Sequence, residues 1–520
     1  MIGLSWILAI LIVPIFLYAR QYLGELEYDR KSKLNNCGLP VRRMGWTLGL
    51  LQAREILKAV AEYRADLFTE NIFVEAGRHT LRGSLPLKAG MFTIEPENIK
   101  AVLATNFKDY SLGRRYESFF PLLGNGIFTL SGEGWKHSRA MLRPQFARNQ
   151  VTQLDNNKQH TQILIARMKQ LSREGNGVFD IQDLFFELTL DTATEFLFGE
   201  SVNSLESGSA KAAVGAKRTP QEFVKAFNFC LEYLATRAQM DSLLMFLNSK
   251  EFQQNCKICH EFVDYFVERA LAKSDEEKEK NDRYVFIEEL TKETRDPIVV
   301  RDQAFNILLA GRDTTAGLLS FCFYHLSKDK RVFNKLRAIV LEQFGTGTEE
   351  LSFESLKRCQ YLNHVVNEAL RLYPVVPFNF RDSLRDTILP RGGGPNEDQP
   401  VFVPKGTRVF YSVVVMQRNE RYWGKDAREF RPERWEENGS RTWDYLPFNG
   451  GPRICLGQQF ALTETTYTIV RLLQHFKDFE FHDRSPPGER EFPRMWAKLT
   501  ASLGDGCNVS VVSDESISKE

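Results

Sequence analysis

Residues 299–326 read as a helix with apolar side chains on every face, and such a helix has to cross the core of a large protein. Ala304, Phe305, Ile307, Leu308, Leu309 and Ala310 precede its middle; Gly317, Leu318, Leu319, Phe321, Cys322 and Phe323 follow it. The middle itself is Gly311-Arg312-Asp313-Thr314-Thr315. An acid and two hydroxyls inside a buried helix are costly unless paired or solvated. Traffic of water and protons would account for them, and so would threonines bonding back to carbonyls of their own helix.

Helical periodicity extends from about Lys100 to Tyr373, whereas Val401-Phe402-Val403 and Val413-Val414-Val415 read as short strands. Residues 204–220 and the charge run 273–283 read as solvated loops, and Arg391-Gly392-Gly393-Gly394-Pro395 as a link between short strands. A chain of 520 residues could hold two or three domains, but no change of composition divides it and no repeat recurs. The expectation is one mainly α domain over 37–520 with a small β region. Its 39 phenylalanines suit either an apolar ligand or ordinary core packing. Lys plus Arg (68) nearly cancel Asp plus Glu (67), so nothing in the charge balance points to a general affinity for nucleic acid. Eight cysteines are too sparse here for a disulfide framework and fit a reducing compartment.

Residues 2–19 carry no charge and approach the roughly 20 apolar residues that cross a bilayer. Arg20, Arg30, Lys31 and Lys33 follow and nothing basic precedes, so the positive-inside rule places the rest of the chain on the cytosolic side. A cleaved signal peptide would want a basic start and a small-x-small cleavage site, which are missing or poor. The expectation is a retained anchor over 1–20, a charged linker over 21–36, and a globular part starting near Cys37-Gly38-Leu39-Pro40.

Around one cysteine stand Phe448-Asn449-Gly450-Gly451-Pro452-Arg453-Ile454-Cys455-Leu456-Gly457, followed by a helical pattern through Phe460, Tyr467, Val470 and Leu473. Glycines let the backbone turn tightly against a flat ligand, and a cysteine just ahead of a helix sits in a field that favours thiolate. The decamer resembles the Phe-x-x-Gly-x-Arg-x-Cys-x-Gly pattern of the cytochrome P450 superfamily at every fixed position. That resemblance implies the cytochrome P450 fold and a non-covalent haem b whose iron takes Cys455 as its metal ligand, with Phe448 and Gly457 beside the cofactor. Thiolate ligation pushes electron density toward oxygen and favours O–O cleavage.

Other segments extend the resemblance over most of the chain. Glu368-Ala369-Leu370-Arg371 is similar to the family's Glu-x-x-Arg, and Phe430-Arg431-Pro432-Glu433-Arg434-Trp435 to the segment whose arginine joins that pair. Glu368, Arg371 and Arg434 would then form a buried network supporting the haem loop; taken alone, Glu368 and Arg371 would pass for a weak surface ion pair. Ala310-Gly311-Arg312-Asp313-Thr314-Thr315 resembles the distal oxygen-activation segment, which implies a hydrogen-bonding role for Thr314 and proton delivery through Asp313. Trp135-Lys136-His137-Ser138-Arg139 resembles Trp-x-x-x-Arg, whose two named residues contact a haem propionate; Arg381 and Arg453 fall where the family has further propionate partners. Some related fatty-acid hydroxylases carry a glutamate where this chain has Ala310, so no covalent haem link is expected. Cys256-Lys257-Ile258-Cys259-His260 spells a c-type haem attachment motif, but on an expected helix of a cytosolic domain it reads as coincidence.

Finer resemblance, to fungal alkane- and fatty-acid-hydroxylating enzymes, lies in Pro121-Leu122-Leu123-Gly124-Asn125-Gly126-Ile127-Phe128-Thr129, in residues 134–148 and in Leu389-Pro390-Arg391-Gly392-Gly393-Gly394. It implies terminal hydroxylation in the endoplasmic reticulum membrane, with candidate channel residues Phe119, Phe120, Leu123, Ile127, Phe128, Val375, Val376, Phe378 and Leu503. Each of these could equally be core packing. O2 and NADPH-derived electrons are implied, the latter through a flavoprotein reductase. Arg418, Arg421, Lys425, Arg428, Arg431, Arg441, Lys136 and Arg143 could form a basic docking face for it, or an ordinary solvated surface. Two other functions stay open: oxidation of an alkyl group on a secondary metabolite, and non-catalytic haem binding.

Overall fold

The computed structural model describes residues 2–43, 50–85, 88–146, 154–206, 216–239, 247–274, 276, 278, 284–347, 349–437, 441–484, 492–497 and 499–514. Of residues 2–15 and 17 it gives the helical backbone alone. The chain divides into two compact units.

The first unit comprises Met1–Gly113, Val376–Arg428 and Arg441–Ile454. Helix α1 runs Ile2–Leu34, so the charged stretch expected as a linker is helical to Leu34. Tyr28 and Ser32 are buried there, and Arg82 stacks over the Tyr28 ring while pairing with Glu25. Most side chains of the expected anchor lie outside the described residues. Among the described residues no helix is long and apolar enough to cross a membrane. The unit's sheet uses β1 (Val41–Arg43), β2 (Thr80–Leu85), β3 (Lys88–Thr93), β4 (Tyr110–Ser111), β5 (Phe378–Ser383) and β6 (Arg408–Ser412), in the order β1-β2-β3-β6-β5-β4. β1 is parallel to β2 and β3 to β6; the other pairs are antiparallel. A separate hairpin joins Thr387–Gly393 to Gln399–Val403. The glycine run expected as a link therefore begins inside a strand. The Val413–Val415 run is a correction: it is helical, within Val413–Gln417. Ser412 accepts a hydrogen bond from the Val415 N–H as N-cap, and all three valines are buried, so capping and burial override their β propensity.

The second unit comprises Arg114–Val375, Glu429–Ser440 and Cys455–Glu520, and is mainly helical. It contains α2 (Arg115–Leu123), α3 (Gly132–Leu142), α4 (Asp155–Leu171), α5 (Ile181–Phe198), α6 (Lys250–Ala272), α7 (Pro297–Lys328), α8 (Gln360–Leu372) and α9 (Gln458–His475). Helix α7 is the expected core helix. Asp296 caps it by accepting from the Ile298 and Val299 N–H groups, Pro297 fills the first position, and His325 and Lys328 lie in the last turn. It packs most extensively against α5 and also meets α6, α8 and α9. Residues 302–309 and 315–324 are buried without exception, while 310–314 are half-buried. The closed wall of α7 thus opens only at its polar middle.

Candidate active site

Cys455 is the exposed cysteine among the eight; the other seven are buried. The chain reaches it through a 3-10 turn over Gly451–Arg453, closed by the Ile454 N–H on the Gly451 carbonyl at 3.0 Å. Gly451 has φ +67°, and a Cβ there would lie 2.0 Å from the Leu103 carbonyl oxygen, so no larger residue fits the turn. Helix α9 starts three residues after Cys455. Protein atoms surround the sulfur apart from its open side, and this desolvation pushes the free thiol up; the Gly457 N–H and the positive charge of Arg139 pull it down by less. The thiolate-favouring field expected from sequence is present but outweighed by burial. Coordination to a metal ion is what would deprotonate this thiol.

Trp135 and Arg139 are one turn apart on α3, with the guanidinium 5.9 Å from the ring. Burial lowers the Arg139 pKa, the Cys455 sulfur raises it and Arg143 lowers it again. Arg381, in the first unit, is buried and donates to Asn379 Oδ1 at 3.1 Å and the Phe380 carbonyl at 2.7 Å. Neither arginine has a carboxylate partner among the described residues. Within the second unit, the half-buried Arg139 guanidinium without a carboxylate, together with one open thiol, fits an iron ligand that brings its own anionic groups. Arg453 and Phe448 are half-buried in the first unit.

On α7, Asp313 lies 3.0 Å from Arg312; burial pushes its carboxyl up and the guanidinium opposes it. Arg312 also sits 5.4 Å from the Phe186 ring. Thr314 Oγ1 donates to the Ala310 carbonyl at 2.6 Å. The intrahelical bond weighed as the bland alternative is therefore made, and it leaves the Thr314 oxygen free to accept.

Glu368 and Arg371 are wholly buried on α8. Arg371 donates to both carboxylate oxygens at 3.0 and 2.7 Å, Arg434 Nε donates at 2.8 Å, the Trp435 indole at 3.0 Å and the Arg431 N–H at 2.9 Å. This is no surface ion pair.

The candidate channel residues are dispersed. Phe119 and Leu123 belong to the apolar core of the second unit, Ile127 and Phe128 pack against it, and Val375 and Leu503 are buried. Phe120 is exposed; Val376 and Phe378, in the first unit, are half-buried. Cys256 and Cys259 are core residues of α6, with the Cys256 sulfur 3.7 Å from that of Cys230, and His260 meets the Leu122 carbonyl at 2.9 Å. This motif is packing. Of the expected basic face, Arg418 is a correction: it is buried against Asp66 at 2.7 Å and cannot meet a partner. Arg428 pairs with Glu70, Arg431 with Glu437 and Arg441 with Asp444; Arg421, Lys425, Lys136 and Arg143 are exposed, although Lys136 pairs with Glu133 and Arg421 lies 3.9 Å from Glu95. Sequence reasoning missed Asp302, Gln303 and Asn306 on α7 and Glu464 on α9, all buried polar residues. Their one visible signal is a polar side chain on an apolar helical face.

A family model for cytochrome P450 matches residues 81–501. Cytochrome P450 52-E3 of Starmerella bombicola is 49% identical over 489 residues, covering 92% of this chain and 93% of that protein. Cytochrome P450 52E1 of Candida apicola is 50% identical over 476 residues, covering 89% and 90%. Cytochrome P450 52A12 of Debaryomyces hansenii is 52% identical over 444 residues, covering 83% and 84%. The chain belongs to the cytochrome P450 family. It is a monooxygenase that uses thiolate-ligated haem b, O2 and NADPH-derived electrons supplied by a redox-partner reductase.

Proposed function

We propose that this monooxygenase hydroxylates the terminal carbon of long-chain fatty acids or n-alkanes. One observation carries the reading. Phe119, Leu123, Ile127 and Phe128 share a single apolar cluster with Ile307, Leu308 and Leu309, the turn of α7 that leads into its open stretch. An approach lined by aliphatic and aromatic groups suits the apolar end of a chain and leaves a polar headgroup remote from the reacting carbon. Positioning then has to overcome the greater strength of the terminal C–H bonds.

Cys455 holds the iron. Arg139, Arg381 and Arg453 would neutralise the propionates, Trp135 would contact one of them, and Phe448 and Gly457 would shape the loop against the haem. The bound haem supplies the oxidising chemistry; Asp313 and Thr314 order and move the protons that it requires. Glu368, Arg371 and Arg434 brace the segment before the ligand loop. Residues 2–19 anchor the chain in the endoplasmic reticulum membrane with the catalytic part on the cytosolic face, and exposed Arg421, Lys425, Lys136 and Arg143 help an acidic flavoprotein reductase to dock.

Product analysis tests this. Microsomes containing the protein and a fungal reductase receive NADPH and a panel of alkanes and fatty acids. Terminal alcohols or diacids, absent with Cys455→Ala, are expected. An intact thiolate-type carbon monoxide spectrum without lipid turnover would transfer the assignment to an alkyl group of a secondary metabolite.

A further inference from the structure

Three side chains at the start of α7 hold a loop of the same unit by its backbone. Asp302 Oδ2 accepts from the Asn125 N–H at 2.7 Å, and Asn306 Oδ1 accepts from the Phe128 N–H at 3.0 Å. Asn306 Nδ2 donates to the Leu123 carbonyl at 3.0 Å, and Gln303 Nε2 donates to the Asn125 carbonyl at 3.2 Å. Thr129 closes the loop on itself: its Oγ1 accepts from the Gly126 N–H at 2.9 Å and donates to the Gly124 carbonyl at 2.8 Å. Gln303 is held from behind by Ser138 of α3, which donates to its Oε1 at 2.8 Å. All three α7 side chains are buried.

The two loop glycines record how closely this grip is built. A Cβ at Gly124, which has φ +56°, would lie 2.0 Å from Asp302 Oδ2, and one at Gly126 would lie 2.1 Å from Asn306 Nδ2. Burying a carboxylate and two amides is costly, and apolar residues would fill the same volume without that cost. Every loop partner here is a backbone group, so the polar choice specifies the path of the chain. Ile127 and Phe128 lie within the gripped stretch. Asn306 is also eight residues before Thr314 on one helix, about 12 Å along its axis at 1.5 Å per residue. One rigid element therefore references the loop to the oxidation residues.

Neighbouring carbons of an alkyl chain lie about 1.5 Å apart, and misplacement of that size changes which atom reacts. Inner methylene C–H bonds are the weaker ones, so slack in the loop releases oxidation inward. We infer that Asn306, with Asp302 and Gln303, is a positioning residue that sets the regiochemistry of hydroxylation by fixing where the loop places Ile127 and Phe128. The inference rests on the terminal-hydroxylase reading above.

The test compares product isomers from the full-length holoenzyme, with fatty acids of several chain lengths as the probe. Asn306→Ala should keep the thiolate-type carbon monoxide spectrum and lower the ratio of terminal to inner alcohols at least fivefold. Asp302→Asn, which keeps an acceptor for the Asn125 N–H, should stay within twofold of the wild-type ratio. A wild-type ratio in Asn306→Ala overturns the inference. Should that variant fail to accumulate haem-loaded protein, Gln303→Ala, which removes a single loop contact, takes its place. A fall of at least twofold is expected from it, and an unchanged ratio is again fatal. Absence of terminal alcohol from the wild type defeats the parent reading instead. The isomer ratio on whatever substrate the wild type does oxidise then decides the grip by the same criterion.

Discussion

Arg371 holds Glu368 through two hydrogen bonds, of 3.0 and 2.7 Å, in a place where neither side chain has any exposed surface. Arg434 donates to the same carboxylate at 2.8 Å, and both arginines also reach the Glu429 carbonyl, at 2.8 and 3.3 Å. One buried carboxylate thus compensates two buried guanidinium groups. Removing one partner from such a pair costs about 3–5 kcal/mol, because the remaining charge stays buried and uncompensated. Glu368→Gln should lie at the upper end of that range, since it strands both arginines. The urea midpoint of the holoprotein should fall, with less of the haem-loaded form recovered. An unchanged midpoint would mean that the arginines find other acceptors.

Two glycines of α7 should answer oppositely to the same substitution. A Cβ at Gly317 would lie 2.4 Å from the Ala501 carbonyl oxygen, whose residue is itself tied to Val375 by a 2.9 Å backbone bond. Gly317→Ala should therefore destabilise by about 1–3 kcal/mol through overpacking. At Gly311 the nearest atom to a new Cβ is Ala193 Cβ, at 3.9 Å. Gly311→Ala should stabilise by up to about 1 kcal/mol, the helix propensity difference. Thermal unfolding of both variants beside the wild type measures the contrast.

Thr314→Ala removes the 2.6 Å bond to the Ala310 carbonyl but no bond to another element. Its structural cost should be small, and the thiolate-type carbon monoxide spectrum should survive. Its chemical cost should appear as electrons diverted from product to peroxide, because positioned proton transfer is worth about 100-fold or more. Peroxide formed per NADPH oxidised reads this directly. Coupling equal to that of the wild type would leave Thr314 with only its intrahelical bond.

How far the sequence is legible depends on how local each cause is. Helix α7 is legible because its apolarity repeats on every face, and its true start two residues earlier follows from Asp296 and Pro297, an adjacent cap. The ligand loop is legible because its turn residues lie within a decamer. Val413–Val415 misleads, since three β-branched residues suggest a strand until Ser412 caps them and the core closes over them. Arg418 misleads in the same way: in a run of basic residues it reads as surface, while its partner Asp66 is 352 positions away. Asp302 and Asn306 stay hidden because their meaning lies in backbone groups 177 and 178 positions distant.

Glu464 offers a test of burial that pH can drive. It is buried on α9, accepts a hydrogen bond from Thr192 Oγ1 of α5, and has no cation bonded to it among the described residues. Burial pushes its carboxyl up to about 7 from an ordinary 4.5; Thr192, His160 of α4 and Thr315 of α7 oppose this by less. His160 is itself paired with Glu195, and Thr315 Oγ1 makes no hydrogen bond of normal geometry. Between pH 4.5 and 7 the folded chain keeps a proton that the unfolded chain has released, so stability must fall as pH rises through that window. At about 1.4 kcal/mol per unit, the full loss above pH 7 is on the order of 3 kcal/mol. Glu187 on α5, also pushed up to about 7, adds a loss of the same sign, so the wild-type slope alone does not isolate one group. The difference between wild type and Glu464→Gln does. Urea midpoints at pH 5 and 8 should nearly coincide for the two proteins at the lower pH and favour the glutamine variant at the higher. A difference independent of pH would assign the effect to packing of the amide and not to ionisation of the acid.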